Sequence, residues 1–78
     1  MTLIVKYFGM TAEASGKGEE ELLEHYSTIR ELKEALLVMY PKLKNINFKI
    51  AANQTLVNND FDLIGNEEVA LLPPFSGG

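Results

Sequence analysis

The sequence contains no cysteine and a single histidine, His25. The missing thiols exclude a disulfide framework, a thiolate nucleophile and a cysteine-based metal site. A histidine without a second histidine or a cysteine is more typical of an ordinary surface or half-buried position than of a metal ligand or a catalytic base. The sequence therefore predicts no metal site.

Basic residues are also scarce, because seven Lys and Arg stand against eleven Asp and Glu. Nucleic-acid binding needs a basic surface, so we expect no nucleic-acid partner. No apolar run approaches the length of a membrane span, and the N-terminus is too short and wrongly flanked for a signal peptide. We expect a cytoplasmic protein with no membrane partner. A hydrophobic content of 46% in 78 residues indicates one folded domain with a modest core.

The clearest local pattern is an amphipathic helix in the middle of the chain. Thr28 and Glu31 have the spacing of a capping box, in which the hydroxyl and the carboxylate satisfy free N–H groups. Pro41 disfavours helical geometry at Tyr40, so we expect the helix to end there. The apolar residues that follow the cap at helical spacing are Ile29, Leu32, Leu36, Met39, Tyr40 and Leu43.

Strand patterns lie on both sides of this helix. Residues 2–8 are apolar on both faces, which predicts a central strand, and residues 20–27 predict a second strand after a polar connection with room for one short helical turn. Residues 46–52 alternate, with Ile46, Phe48, Ile50 and Ala52 facing inward. Asn53-Gln54 predicts a turn and "TLV" a short returning strand. "EVALLPP" predicts the last strand.

The order β-β-α-β-β-β predicts an α+β domain of the β-grasp, ubiquitin-like kind, with one main helix packed on one face of a mixed sheet. Other small α+β folds share this order. We expect the β-grasp domain to occupy residues 1–74 and residues 75–78 to form a flexible Gly-Gly tail.

The tail is the segment with the most chemical character. Pro73 and Pro74 fix φ and lack N–H groups, so they end sheet pairing and hold the chain extended. Gly77 and Gly78 have no Cβ and could thread a narrow channel in another protein. A terminal carboxylate is a poor electrophile, but conversion to an acyl-adenylate by ATP would let it accept sulfur or an amine.

The segments "AANQTLVNND" and "EEVALLPPFSGG", with "VKYF" near the start, resemble the small subunits of molybdopterin synthase, the MoaD-type sulfur carriers. The resemblance covers the whole chain, and "LLPPFSGG" is its most specific motif. It implies that the Gly78 carboxylate is adenylated by an ATP-dependent activating enzyme and converted to a thiocarboxylate. The sulfur would then pass to cyclic pyranopterin monophosphate, building the molybdopterin dithiolene.

The resemblance also implies partners and roles. Catalytic side chains would belong to the large synthase subunit, in a heterotetramer, so this chain would be no enzyme by itself and would bind no cofactor. Gly77 and Gly78 carry the chemistry. The residues that would contact the partner are Leu72, Pro73, Pro74, Phe75 and Phe8.

Three alternatives stay open from the sequence. The chain could be a ubiquitin-like protein modifier, a sulfur carrier of another pathway of the thiamine or tRNA-thiolation type, or a non-covalent binding module. The carboxylates of Asp60, Asp62, Glu67 and Glu68 could dock the activating enzyme or simply confer solubility.

Overall fold

The computed structural model describes residues 2–74 as five strands, two α-helices and a 3-10 helix. The elements are β1 (Leu3–Tyr7), α1 (Met10–Ser15), β2 (Glu19–Leu22), α2 (Ile29–Met39), the 3-10 helix (Pro41–Asn45), β3 (Lys49–Ala52), β4 (Thr55–Val57) and β5 (Glu68–Leu72). The predicted order of strands and main helix is confirmed, and α1 supplies the short helical turn expected in the polar connection.

The strands form one mixed sheet in the order β2-β1-β5-β3-β4. β1 and β5 run parallel, whereas the β1–β2, β3–β4 and β3–β5 pairs are antiparallel. The first and last strands of the chain therefore lie side by side in the interior of the sheet, as the apolar residues on both of their faces indicated. This arrangement confirms the α+β, β-grasp prediction.

The core lies between α2 and one face of the sheet. α2 contributes Ile29, Leu32 and Leu36, all fully buried. The sheet contributes Leu3, Val5, Tyr7, Ile50, Val69 and Leu71. The helical stripe was wrong at one position, since Met39 is 41% exposed. α2 ends at Met39, and the chain then turns into the 3-10 helix, which buries Leu43 instead.

The start of α2 shows the predicted cap. The Thr28 hydroxyl accepts a hydrogen bond from the Glu31 amide at 3.3 Å, and the Glu31 carboxylate accepts one from the Ser27 amide at 3.1 Å. The first bond satisfies a helix amide that has no acceptor within the helix, and the second ties the residue before the N-cap to the first turn. Residues 27–31 therefore set the direction in which the chain enters α2.

Two strand boundaries differ from the sequence prediction. β2 ends at Leu22 rather than continuing to residue 27, and Leu23 is exposed, because the two adjacent leucines cannot share the inner face. β3 begins at Lys49 rather than at residue 46, since the 3-10 helix occupies the chain up to Asn45. Phe48 is buried nevertheless, so the inward alternation was correct there although the strand had not yet begun.

A half-buried carboxylate joins β2 to the end of α2. The Glu20 carboxylate accepts hydrogen bonds from the hydroxyls of Tyr7 and of Tyr40, the latter at 2.6 Å, and the Lys17 ammonium lies 3.5 Å away. Burial alone would raise the pKa of Glu20, but the hydrogen bonds from Tyr40 and Tyr7 and the charge of Lys17 outweigh it and lower the pKa. Burial and the same carboxylate raise the pKa of Tyr7.

This network predicts an acid-sensitive contribution to stability. Because the pKa of Glu20 is lower in the folded chain, its contribution is complete above the ordinary value of 4.5 and is lost as the pH falls through the folded value. Glu20→Gln should cost about 1–2 kcal/mol at pH 7 and flatten the decline below pH 4.5. Urea unfolding across this pH range measures both effects, with exposed Glu21→Gln as control. Equal pH slopes for Glu20→Gln and wild type would contradict the assignment.

Candidate functional site at the exit of β5

The parallel pairing of β1 and β5 places their carboxyl ends at the same edge of the sheet. Tyr7 pairs with Leu71, so Phe8 leaves β1 where Leu72 leaves β5. Pro73 and Pro74 follow directly, the first half-buried and the second exposed. The site therefore begins where β5, the central strand of the sheet, ends and the chain reaches the surface.

Two apolar side chains beside this exit are exposed. Phe8 is 46% and Met10 is 52% exposed. We call Phe8, Met10, Leu72, Pro73 and Pro74 the exit surface. Small monomeric domains bury most large apolar side chains, so an exposed group of them at one edge is typical of an interface. The predicted partner residues Phe8, Leu72, Pro73 and Pro74 are thus brought together, and Phe8 is not a core residue.

The outer face of the sheet, opposite α2, continues away from the exit surface. The strand registers place Lys6, Ala70, Ala51 and Leu56 in one row across four strands. The small side chains of the two alanines make the surface nearly flat along this row, and Leu56 at its far end is 59% exposed. Neither Leu56 nor Met10 was predicted from the sequence to be a contact residue. The sequence did contain a signal for both residues, because each is a large apolar residue in a very short element.

Two further residues were not predicted from the sequence. They lie beside Pro73 and Leu71, where β5 ends. Gly9 has φ +54°, and a Cβ built there would be 3.0 Å from Cγ of Pro73. The Thr11 side chain is fully buried, and its hydroxyl accepts a hydrogen bond from the Phe8 amide at 2.8 Å and donates to the Phe8 carbonyl at 2.7 Å. The Leu71 carbonyl is a second acceptor 3.3 Å from this hydroxyl. A glycine directly after a strand was the available signal.

The predicted chemical residues Gly77 and Gly78, and the predicted contact residue Phe75, lie outside the described residues. The boundary expected between a domain of residues 1–74 and a tail of residues 75–78 stays a prediction.

The acidic residues near β5 do not behave as one group. Glu67 is buried, and its carboxylate accepts hydrogen bonds from the amides of Ile64 at 2.8 Å and Gly65 at 3.0 Å. Burial alone would raise its pKa, but these amides outweigh burial and lower it. Glu67 therefore shapes a turn, and the suggestion that it docks an enzyme was wrong. The exposed Asp60 pairs with Arg30 at 2.8 Å, and Glu68 pairs with Lys6 at 3.3 Å.

Residues 2–74 contain no group of three or more His, Asp or Glu side chains arranged to hold a metal ion. His25 is exposed. Over the same part of the chain, no helix is both long and apolar enough to cross a membrane.

Comparison with known proteins identifies a family and relatives that match almost the whole chain. The ThiS family matches residues 5–78. The molybdopterin synthase sulfur carrier subunit of Caenorhabditis elegans is 30% identical, over 100% of this chain and 99% of its own length. The protein of the same name from Escherichia coli K12 is also 30% identical, over 95% of this chain and 96% of its own.

Solved structures share the fold over the same extent. The small archaeal modifier protein 1 of Methanosarcina acetivorans has a TM-score of 0.84 at 25% identity, covering 99% of this chain and 96% of its own. A chain from the complex of subunits 1 and 2 of the molybdopterin-converting factor of Helicobacter pylori has a TM-score of 0.71 at 27% identity, covering 100% of both chains. From its family match and its end-to-end relatives, this chain belongs to the ThiS family and is a homologue of molybdopterin synthase sulfur carrier subunits.

Proposed function

We propose that this chain is the sulfur carrier subunit of a molybdopterin synthase, with the Gly78 carboxylate as the group that carries sulfur. The observation that supports this most directly is the delivery of the C-terminal segment by the central strand β5 into an exposed apolar surface. The fold buries the strand that carries the tail, and it leaves the surroundings of the exit uncovered for a partner.

The proposed chemistry proceeds through an activated acyl group. The Gly78 carboxylate attacks the α-phosphate of ATP, pyrophosphate leaves, and an acyl-adenylate forms. A sulfur nucleophile from a donor then displaces AMP and leaves a thiocarboxylate. ATP is a substrate of the activating enzyme in this scheme, and the carrier itself binds no cofactor. Because the reaction consumes ATP, we place it in the cytoplasm.

The carrier acts as a covalent substrate in this proposal rather than as a catalyst. The described residues place no nucleophile or general base at the exit surface, which is formed by Phe8, Met10, Leu72, Pro73 and Pro74. Catalytic side chains would come from the large synthase subunit, in a heterotetramer of two carriers and two large subunits. Transfer to cyclic pyranopterin monophosphate would occur in the large subunit, twice for each dithiolene.

Intact-mass spectrometry tests the function. The purified chain is incubated with the activating enzyme, ATP and a sulfur donor, and its mass is compared with that of the untreated chain. We expect the increase that corresponds to replacement of one oxygen by sulfur, located in the C-terminal peptide. Omission of ATP is the control. An unmodified carboxylate, under conditions that load another carrier of the family, would refute the proposal.

The exit surface should contribute most to partner affinity at Phe8. Phe8→Asp places a charge in a surface that becomes buried on docking, so Kd for the large subunit should rise by roughly tenfold or more. Isothermal titration calorimetry measures the change. Leu23→Asp is the matched control, because Leu23 is also exposed but follows the end of β2 that pairs with Leu3, at the opposite edge of the sheet. Equal losses for both variants would place the interface elsewhere.

A second function has support from a specific likeness. The modifier protein of M. acetivorans matches this fold at a TM-score of 0.84. A modifier would pass the same acyl group to an amine of another protein, so incubation with cell extract, ATP and activating enzyme would give higher-mass conjugates. A sulfur carrier of the thiamine or tRNA-thiolation type would show the same loading but would fail to supply dithiolene sulfur to the large subunit.

A further inference from the structure

The two prolines create a geometric requirement at the root of the tail. β5 pairs with β1 and β3 as far as Leu72. Pro73 and Pro74 have no N–H to donate, so the ladder that orients β5 cannot be extended through their amides. Side contacts must therefore fix the direction in which the chain leaves the sheet.

Gly9 supplies one such contact. The distance of 3.0 Å from a Cβ built at Gly9 to Cγ of Pro73 is one that real Cβ atoms rarely show. The pyrrolidine ring therefore packs directly against the backbone of Gly9, in space that any side chain would occupy. The φ of +54° at Gly9 gives a second reason for glycine, because L-residues rarely adopt that region.

Thr11 supplies the other contact. Its hydroxyl accepts from the Phe8 amide at 2.8 Å, and its single proton has two acceptors, the Phe8 carbonyl at 2.7 Å and the Leu71 carbonyl of β5 at 3.3 Å. The Thr11 side chain is completely enclosed, so these bonds are shielded from competing water. α1 begins at this same point, with the Ala12 amide donating to the Gly9 carbonyl at 3.0 Å. The first turn of α1 is thereby tied to both strand ends.

We propose that Gly9 and Thr11 form an exit bracket that sets the direction of the tail, and that they are positioning residues for acyl activation and sulfur transfer. This inference rests on the proposed function. Gly9 and Thr11 touch no reacting atom in this account. They act through Pro73 and Leu71, whose placement decides where the Gly78 carboxylate, five and seven residues further on, can reach when the body is docked.

Kinetics with the activating enzyme distinguish an effect on the direction of the tail from an effect on binding of the folded domain. In Gly9→Ala the new methyl group displaces Pro73, so kcat for thiocarboxylate formation should fall on the order of tenfold to a hundredfold. KM for the carrier should change by less than about threefold, because Pro73 is the one residue of the exit surface, chain neighbours apart, that the new methyl group meets within 4 Å. Gly18→Ala is the control, since a Cβ at Gly18 meets nothing within 4 Å. Thr11→Val should lower kcat and Thr11→Ser should preserve it.

A purely structural role for Gly9 predicts a different outcome. It would lower the melting temperature of Gly9→Ala but leave kcat unchanged at temperatures where the variant is folded, as checked by circular dichroism. That result would overturn the bracket. In Gly9→Ala/Pro73→Ala the ring that clashes is gone, so the combined loss should be smaller than the product of the two single losses. A loss equal to that product would mean that the two residues act independently, and would also overturn it.

A structural measurement keeps the bracket testable apart from the function. Residual dipolar couplings of the Phe75 amide, compared with those of β1 and β5, report the direction of the chain beyond Pro74. We expect them to change in Gly9→Ala, to return toward wild-type values in the double variant, and to stay unchanged in Gly18→Ala. Unchanged couplings in Gly9→Ala overturn the bracket even if wild type is loaded with sulfur. A wild-type chain that is never loaded overturns the proposed function, while these couplings still decide whether the bracket sets tail direction.

Discussion

Deletion of Gly78 is expected to abolish sulfur transfer while leaving the fold intact. The deletion shortens the tail by about 3.3 Å and makes Gly77 the terminal residue, so the carboxylate no longer reaches the position of adenylation. The core of residues 2–74 lies between α2 and the sheet, so we expect unfolding by urea to be unchanged. The measurement is dithiolene formation by purified large subunit supplied with the deleted carrier, activating enzyme, ATP and a sulfur donor.

Gly77→Val tests the same segment without changing its length. A branched side chain next to the acyl group should clash with the walls of any channel narrow enough to exclude water, so we expect loss of transfer similar to that of the deletion. Ser76→Ala is the matched control, because it changes one side chain in the tail without adding bulk, and it should retain transfer. Dithiolene formation by the deleted carrier or by Gly77→Val would rule out the thiocarboxylate mechanism.

The largest expected effect on stability comes from the centre of α2. Leu36→Ala removes a fully buried side chain from the core, and such truncations cost about 2–5 kcal/mol. A chain of 78 residues has a total stability of roughly 4–12 kcal/mol. The variant should therefore melt at least about 10 °C lower, and in the least stable case it would be largely unfolded at 37 °C.

Val38→Ala is the control for this prediction, because Val38 lies two residues further along α2 with its side chain exposed. Its unfolding free energy should stay within about 0.5 kcal/mol of wild type. Calorimetry or urea unfolding compares the two. If both variants lost similar amounts, the stabilising contacts of α2 would lie on a different face from the one described.

Most of the fold could be predicted from the sequence because its signals are local. The capping box at Thr28 and Glu31 and the turn at Asn53-Gln54 involve neighbouring residues, and both appear as expected. The errors arose where neighbours in space decide the outcome. Met39 has helical spacing but lies where the chain turns away from the core, and residues 46–48 alternate like a strand although no strand pairs with them.

The residues of the candidate site also fall into those that the sequence indicated and those that only the folded structure reveals. Phe8, Leu72 and the two prolines could be found in the sequence because the resemblance and the proline chemistry pointed to them. Gly9 and Thr11 were missed, because a glycine after a strand is a weak signal by itself and their importance depends on the register of two strands separated by about sixty residues. Only the parallel pairing of Tyr7 with Leu71 reveals that a glycine after the first strand lies against a proline after the last one.

The position of β5 between β1 and β3 has a mechanical consequence for a carrier that must withdraw its tail from a partner. A pull on the chain beyond Pro74 loads β5 along its own axis, while its hydrogen bonds run sideways to both neighbours. The bonds on both sides are then strained together in shear, rather than opened one after another as they would be at a sheet edge. The body can therefore resist tension on its C-terminal segment, and release of the tail need not unravel the strand that holds it.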